Sequence, residues 1–341
     1  MGYRLTKEAC DGVLQKLSLN HTLFAPKRFT GGGPFSGTDL IRYGKIASAD
    51  EIVLDAKSAH SFKEALLPIT ETLFYFTEEQ MKEPDPPAQG VLVFLRSCDL
   101  HAVRRLDEIY LRNGAEDYYY KRIREKTRFA LIGCPTAFDT CFCVDMVANR
   151  SDNYDFSIEQ DENANYLIDC RAADWAALFE AAASQTLAVE PSFVAATPTR
   201  VGIPALLDAG VAAAAMWDQY DGRCIKCGRC NFSCPTCTCY TMQDLFYTDN
   251  GKAGERRRVW ASCMVDGFTD VAGGGCYRPK NGQRMRFKTL HKVFDYKQRF
   301  GYQMCVGCGR CDDVCPEYIS FARIVNRLEE ALREVKSDAA E

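Results

Sequence analysis

The chain has 341 residues, 47% of them apolar and 26% charged, with a formal net charge of −4. That length suits about two globular domains, and the acidic balance argues against nucleic-acid binding. No apolar run reaches the roughly 18 residues of a membrane span, and residues 1–20 lack the apolar core of a secretory signal. A cytoplasmic protein with no membrane contact is therefore expected.

In chain order, the first part reads as mixed α/β. Residues 90–96 (Gly-Val-Leu-Val-Phe-Leu-Arg) form a continuous apolar run of strand length, expected to be buried. Residues 99–112 set Leu100, Val103, Leu106 and Tyr110 at helical spacing. Residues 128–132 read as a second buried strand, and the alanine-rich stretch 174–187 as a helix. Pro191 to Pro204 reads as a linker. A helix is expected over 204–220, with Pro204 in its first turn, leading into a block of cysteines. Another is expected over 318–335, with Ile319, Ala322, Ile324, Leu328 and Leu332 on its apolar side. The expected organisation is a mixed domain of α+β or α/β type over 1–200, then a mainly helical ferredoxin-type domain over 201–341.

Eighteen cysteines are the most informative feature of the composition, and twelve of them follow residue 220. In a reducing compartment such thiols serve metal more often than disulfides. The four histidines (His21, His60, His101, His291) leave little for a mixed Cys/His zinc site or a histidine-held haem. One internal repeat stands out: CIKCGRCNFSCP at 224–235 and CVGCGRCDDVCP at 305–316. Each is Cys-x2-Cys-x2-Cys-x3-Cys-Pro, the run that holds a 4Fe–4S cluster by its first three thiolates and lends the fourth to a second cluster. One cluster is thus expected on Cys224, Cys227, Cys230 and Cys315, the other on Cys305, Cys308, Cys311 and Cys234. Gly228 and Gly309 let backbone N–H groups approach sulfur. Zinc knuckles would use isolated Cys-x2-Cys pairs, and a sirohaem-type cluster motif emerges only by skipping cysteines.

A third 4Fe–4S cluster is expected on Cys98, Cys134, Cys141 and Cys143. Cys98 and Cys134 each directly follow an expected strand. A strand–helix–strand crossover would bring both to the carboxyl edge of one parallel sheet. The helix beginning at Asp99 would turn its positive end toward an anionic group. Asp99 and Asp139 are the substitutes if one cysteine is not a ligand. The alternative is that these cysteines are small buried apolar residues. Cys237, Cys239 and Cys263 either pack around the clusters or bind a further metal, and Cys10, Cys170 and Cys276 carry no assigned role.

Between Lys252 and Arg299 stand twelve Lys/Arg against Glu255, Asp266, Asp270 and Asp295. This excess is read either as compensation of the anionic clusters or as a docking face for an acidic partner. No dinucleotide-binding glycine loop is present: Gly31-Gly32-Gly33-Pro34-Phe35-Ser36-Gly37 has the wrong spacing, and Pro34 would disrupt a helix start. No phosphate-binding loop, triad or hydrolase motif is visible either. Redox clusters without a substrate site suggest a relay between partners.

Several segments carry a closer resemblance: PITETLFYF at 68–76, RSCDLHAVRRLD at 96–107, GCPTAFDTCFCVDM at 133–146, RCIKCGRCNFSCPTCTCY at 223–240, GERRRVWASCMVDGFTDVAGG at 254–274 and MCVGCGRCDDVCP at 304–316. On these the chain resembles the A-subunit family of bacterial anaerobic sulfite reductases over nearly its whole length. The resemblance implies an electron-transfer subunit without catalysis of its own. It would stand between two partners. One is a ferredoxin-reductase-like subunit with flavin and a 2Fe–2S group, fed by a reduced nicotinamide nucleotide. The other is a sirohaem subunit that reduces sulfite to sulfide. The β subunits of cytoplasmic sulfhydrogenases share much of the pattern, so a hydrogenase relay is the alternative. A redox-sensing regulator is the competing class, but it would usually carry a DNA-binding or kinase module.

Overall fold

A computed structural model describes residues 1–338, which divide into two compact units. The first comprises Met1–Pro68, Asp85–Phe138 and Val147–Ala196. It is built on an eight-stranded sheet in the order Gln185–Leu187, Gly2–Leu5, Tyr166–Asp169, Phe156–Gln160, Thr127–Ile132, Gly90–Leu95, His21–Phe29, Leu40–Lys45. The four strands Phe156–Gln160, Thr127–Ile132, Gly90–Leu95 and His21–Phe29 are parallel, and antiparallel strands flank them. Parallel strands are covered on both faces, which explains the uninterrupted apolar runs. Leu92, Phe94, Ala130, Ile132 and Ile158 join one core with residues of helix Lys7–Ser18 and with Trp175 and Phe179 of helix Ala173–Ala182. The crossover from Gly90–Leu95 to Thr127–Ile132 passes through helix Ser97–Leu111, which buries Leu100, Val103, Leu106 and Tyr110.

Two expected helices differ. The one over 174–187 stops at Ala182, because Gln185–Leu187 pairs with Gly2–Leu5 as an edge strand. The sheet gains an edge partner that a helix could not supply. The segment 204–220 forms two short 3₁₀ turns, Ala209–Ala213 and Ala215–Trp217, then helix Gln219–Arg223. The Trp217 indole donates to the Val211 carbonyl at 2.9 Å and folds the alanine run on itself. So short an alanine run has too few anchoring apolar contacts to hold a continuous helix.

The second unit comprises Ile69–Pro84, Asp139–Met146 and the residues from Thr197 onward. A linear division at 200/201 leaves its first two pieces on the N-terminal side. The unit contains both cysteine repeats, and the chain between them is not wholly helical. Tyr240–Phe246 and Gly254–Trp260 form a hairpin, extended by Thr70–Phe76 and Met81–Lys82 into a four-stranded antiparallel sheet. Charges pair across these strands: Arg256 lies opposite Asp244 and bonds it through two nitrogens at 2.7 Å, and buried Arg258 bonds Glu71 at 2.7 Å. Cross-strand pairing of this kind specifies a sheet where helical periodicity is absent. Helix Asn281–Leu290 continues through a π-helical turn, His291–Asp295, into Tyr296–Phe300. The expected C-terminal helix is two, Phe321–Asn326 and Leu328–Asp338, and all five expected apolar positions are buried. No helix among the described residues is long and apolar enough to cross a membrane.

Candidate metal centres

The two repeats fold alike. In Cys-Ile-Lys226-Cys-Gly228 and Cys-Val-Gly307-Cys-Gly309, the third and fifth residues all adopt left-handed backbone: φ is 62° at Lys226, 72° at Gly228, 67° at Gly307 and 71° at Gly309. This alternation turns successive N–H groups inward, the arrangement that cradles anions. The Gly307 N–H donates to Cys305 Sγ at 3.4 Å, the Lys226 N–H donates to Cys224, and the Ile319 N–H donates to Cys315 Sγ at 3.3 Å. Each loop then enters a short helix, Arg229–Phe232 or Arg310–Asp313.

One pocket in this unit is lined by Cys224, Cys227, Cys230 and Cys315, with Cys311 and Lys288 also on its wall. Cys234 of the first repeat is near enough to Cys305 and Cys311 of the second for its charge to raise both thiols, after burial. The fold thus gathers three thiols of one repeat with the fourth of the other. Burial pushes Cys305 up to about 12 and raises Cys224 and Cys311 as well, so these thiols hold their protons until a metal displaces them. Cys234 is held low, chiefly by a hydrogen bond from Cys237, which is raised in turn. Thiols at separate corners, backbone N–H groups aimed at sulfur and buried lysines beside them fit 4Fe–4S groups. Among the described residues no three His, Cys, Asp or Glu side chains converge to enclose a single metal ion.

Of the cysteines expected to hold a third group, Cys98 and Cys134 lie in the first unit, half-buried, after the adjacent parallel strands Gly90–Leu95 and Thr127–Ile132. Arg96 ties these strand ends together, donating to the Gly133 carbonyl at 3.0 Å and to Leu54 O at 2.6 Å. Asp99 is fully buried in the first helical turn, where the Tyr43 hydroxyl donates to it at 3.3 Å. Cys141 and Cys143 are buried in the second unit, on a segment packed against the second repeat. There Cys141 Sγ approaches the Cys308 carbonyl at 3.6 Å, and Thr140 donates to Asp313 at 2.7 Å. Asp139 lies on the same stretch, its carbonyl accepting from Thr199 Oγ1 at 2.8 Å.

Cys237 contacts Cys234, and Cys239 contacts Cys263, to which the buried Asn231 amide donates at 3.0 Å. Sequence reasoning missed Lys288, Lys292 and Asn231 as neighbours of these thiols, because nothing in their local pattern shows which way they point. The basic stretch is largely consumed locally. Lys252 pairs with Glu78, Arg256 with Asp244, Arg257 with Glu255, Arg258 with Glu71 and Arg284 with Asp266. Lys288 and Lys292 face cysteines. At these positions the charge is met within the unit, while the Lys252 and Arg256 side chains keep 53% and 46% of their surface exposed.

Residues 223–319 match the family described as a 4Fe–4S dicluster domain. Over 322 residues, 88% of this chain and 92% of the relative, the sequence is 27% identical to the β subunit of sulfhydrogenase 2 of Pyrococcus furiosus. A shorter stretch of 120 residues, 35% of this chain and 23% of the relative, is 24% identical to the β subunit of the F420-dependent formate dehydrogenase of Methanocaldococcus jannaschii. No solved structure matches. The chain is an iron–sulfur protein with a mixed α/β N-terminal region and a C-terminal dicluster domain, related in sequence to a sulfhydrogenase β subunit.

Proposed function

We propose that this chain is the electron-transfer subunit of an anaerobic sulfite reductase, carrying one 4Fe–4S cluster on Cys224, Cys227, Cys230 and Cys315 and a second on Cys305, Cys308, Cys311 and Cys234. The observation that carries the relay reading is the pocket collecting three thiols of the first repeat with Cys315 of the second. When bound, such groups supply one-electron steps, which match a two-electron hydride donor to a six-electron acceptor reaction. The residues of this chain would hold the groups apart from water, donate N–H bonds to their sulfurs and present them to partners. Its partners would be a flavin-containing reductase subunit and a sirohaem subunit in the cytoplasm, as the resemblance of residues 223–240 and 254–274 implies.

A second reading, the β subunit of a cytoplasmic sulfhydrogenase, is favoured by the 27% identity over 88% of the chain. Purification of the native complex under anaerobic conditions separates the two. Sirohaem and sulfite-dependent oxidation of nicotinamide nucleotide are expected, with no turnover by this chain alone. Nickel in place of sirohaem would transfer the chain to the hydrogenase reading.

A third cluster on Cys98, Cys134, Cys141 and Cys143 belongs to the same proposal. It is supported by the neighbouring parallel strands Gly90–Leu95 and Thr127–Ile132, which Cys98 and Cys134 follow within a few residues. Iron and sulfide should each approach about twelve per chain, and replacing Cys98 and Cys143 together by serine should remove about four of each. About eight in the intact protein, unchanged by that replacement, would make these cysteines structural.

A further inference from the structure

Helix Asn281–Leu290 carries Lys288, and the π-helical turn that continues it carries Lys292. Both side chains are buried, the residues being 5% and 4% exposed. A buried ammonium is costly unless an anion lies beside it. No carboxylate among the described residues forms an ion pair with either lysine. Sulfur predominates around them, with Asp312 and Glu317 on the same pocket wall as Lys288. Lys288 lines the pocket formed by Cys224, Cys227, Cys230 and Cys315, with Cys311 on the same wall, and stands 5.6 Å from the centre of the Phe321 ring. Lys292 donates to Thr236 Oγ1 at 2.9 Å, the hydroxyl that stands 3.4 Å from Cys234 Sγ; Met304 Sδ lies at 3.9 Å, and the Cys305 N–H donates to the Lys292 carbonyl at 3.3 Å.

The arrangement is biased: Lys288 lines the pocket of Cys224, Cys227, Cys230 and Cys315 while also meeting Cys311 of the other set, and Lys292 lies on the side of Cys234 and Cys305. Cys230 and Cys234 belong to the same repeat but, in the ligation proposed above, to different clusters. The two lysines are four residues apart and point to the same side, so one turn of helix addresses both. A π-helical turn interrupts ordinary helical register at this point, a feature common at functional sites.

We propose that Lys288 and Lys292 are built-in counter-ions, one for each 4Fe–4S cluster, and that they set the two reduction potentials. The inference rests on the two-cluster ligation. Adding one electron from a donor to a four-thiolate 4Fe–4S group adds one negative charge, with no bond made or broken. A fixed ammonium at a ligand sulfur stabilises that added charge. Lys288 then acts chiefly on the cluster of Cys224, Cys227, Cys230 and Cys315, and Lys292 on that of Cys305, Cys308, Cys311 and Cys234.

The test uses the full chain purified anaerobically, with Lys288→Met, Lys292→Met, Lys288→Arg and Lys292→Arg. Iron and sulfide are counted, and potentials are read by dithionite titration followed by electron paramagnetic resonance. Each methionine variant should lower the potential of one cluster more than the other, by about tenfold or more in its reduction equilibrium, about 59 mV for one electron. Each arginine variant should restore it. If the methionine variants lose the clusters while the arginine variants keep them, positive charge is required and the proposal stands. Loss in both series shows a packing role and overturns it. An intact protein with too little iron for two clusters overturns the ligation, and the counter-ion assignment with it. A full count with unmoved potentials overturns the counter-ion assignment alone.

Discussion

The backbone N–H of Phe142 donates to the carbonyl of Gly307 at 2.8 Å, joining two segments far apart in sequence. This bond lays residues 140–143 along the loop of the second cysteine repeat, with Cys141 and Cys143 buried there. It also explains a difference between the repeats. A Cβ at Gly307 would stand 2.5 Å from the Phe142 backbone, and one at Gly309 would stand 2.3 Å from Thr140 Oγ1. Position 226 has the same left-handed backbone as Gly307, yet it holds a lysine whose side chain extends to Asp266 at 3.0 Å.

Gly307→Ala should therefore be costly where Lys226→Ala is not. Backbone strain and the forced shift of Phe142 together are worth about 1–3 kcal/mol. Thermal unfolding should show a lower midpoint for Gly307→Ala alone, and iron should be lost first from the cluster proposed on Cys305, Cys308 and Cys311. Equal midpoints for the two variants would remove the role given to residues 140–143.

Exchange of the fourth cysteine predicts a crossed phenotype. Cys234→Ser should alter the resonance signal of the cluster proposed on Cys305, Cys308 and Cys311, and Cys315→Ser that of the cluster proposed on Cys224, Cys227 and Cys230. Paramagnetic resonance of the reduced variants decides this, since damage confined to each cysteine's own repeat would mean the repeats ligate separately.

Arg258 and Glu71 form a buried pair at 2.7 Å between neighbouring strands of the four-stranded sheet. Removing one partner leaves a buried charge, so Arg258→Met should cost about 3–5 kcal/mol, and Glu71→Leu added to it should recover much of the loss. Denaturant unfolding of the single and double variants measures this. An unchanged midpoint in Arg258→Met would show that the buried pair contributes nothing to stability.

His291 stacks on Phe287, with ring centroids 5.6 Å apart. Burial, and then repulsion from Lys292 and Arg278, lowers its pKa to about 4. The folded state thus keeps the imidazole neutral where the unfolded chain takes up a proton. Stability is fully present above the unfolded value near 6.5 and falls as pH drops toward 4. Between pH 7 and pH 5 this one group should cost about 2 kcal/mol. His291→Gln should flatten that part of the stability profile, and an identical slope in the variant would rule the residue out.

Local chemistry was legible from residues 224–235 and 305–316 alone. Cys-x2-Cys-x2-Cys-x3-Cys-Pro encodes its own loop, because spacing and glycine fix where thiols can stand. Continuous apolar runs likewise announced the parallel strands 90–95 and 127–132, since burial on both faces leaves no room for polar alternation. Long-range pairing has no such local signature. The hairpin 240–260 draws its definition from charges across strands, and the strand at 185–187 exists only because Gly2–Leu5 needs a neighbour. The inward turn of Lys288 and Lys292 was equally invisible, because a lysine in a basic run looks solvated until packing surrounds it with sulfur. By itself the sequence determined that residues 223–319 carry the repeat of a dicluster domain and which thiols that repeat contains. The tertiary structure decided which of them meet in one pocket and which buried cations stand beside them, because both depend on contacts between residues remote along the chain.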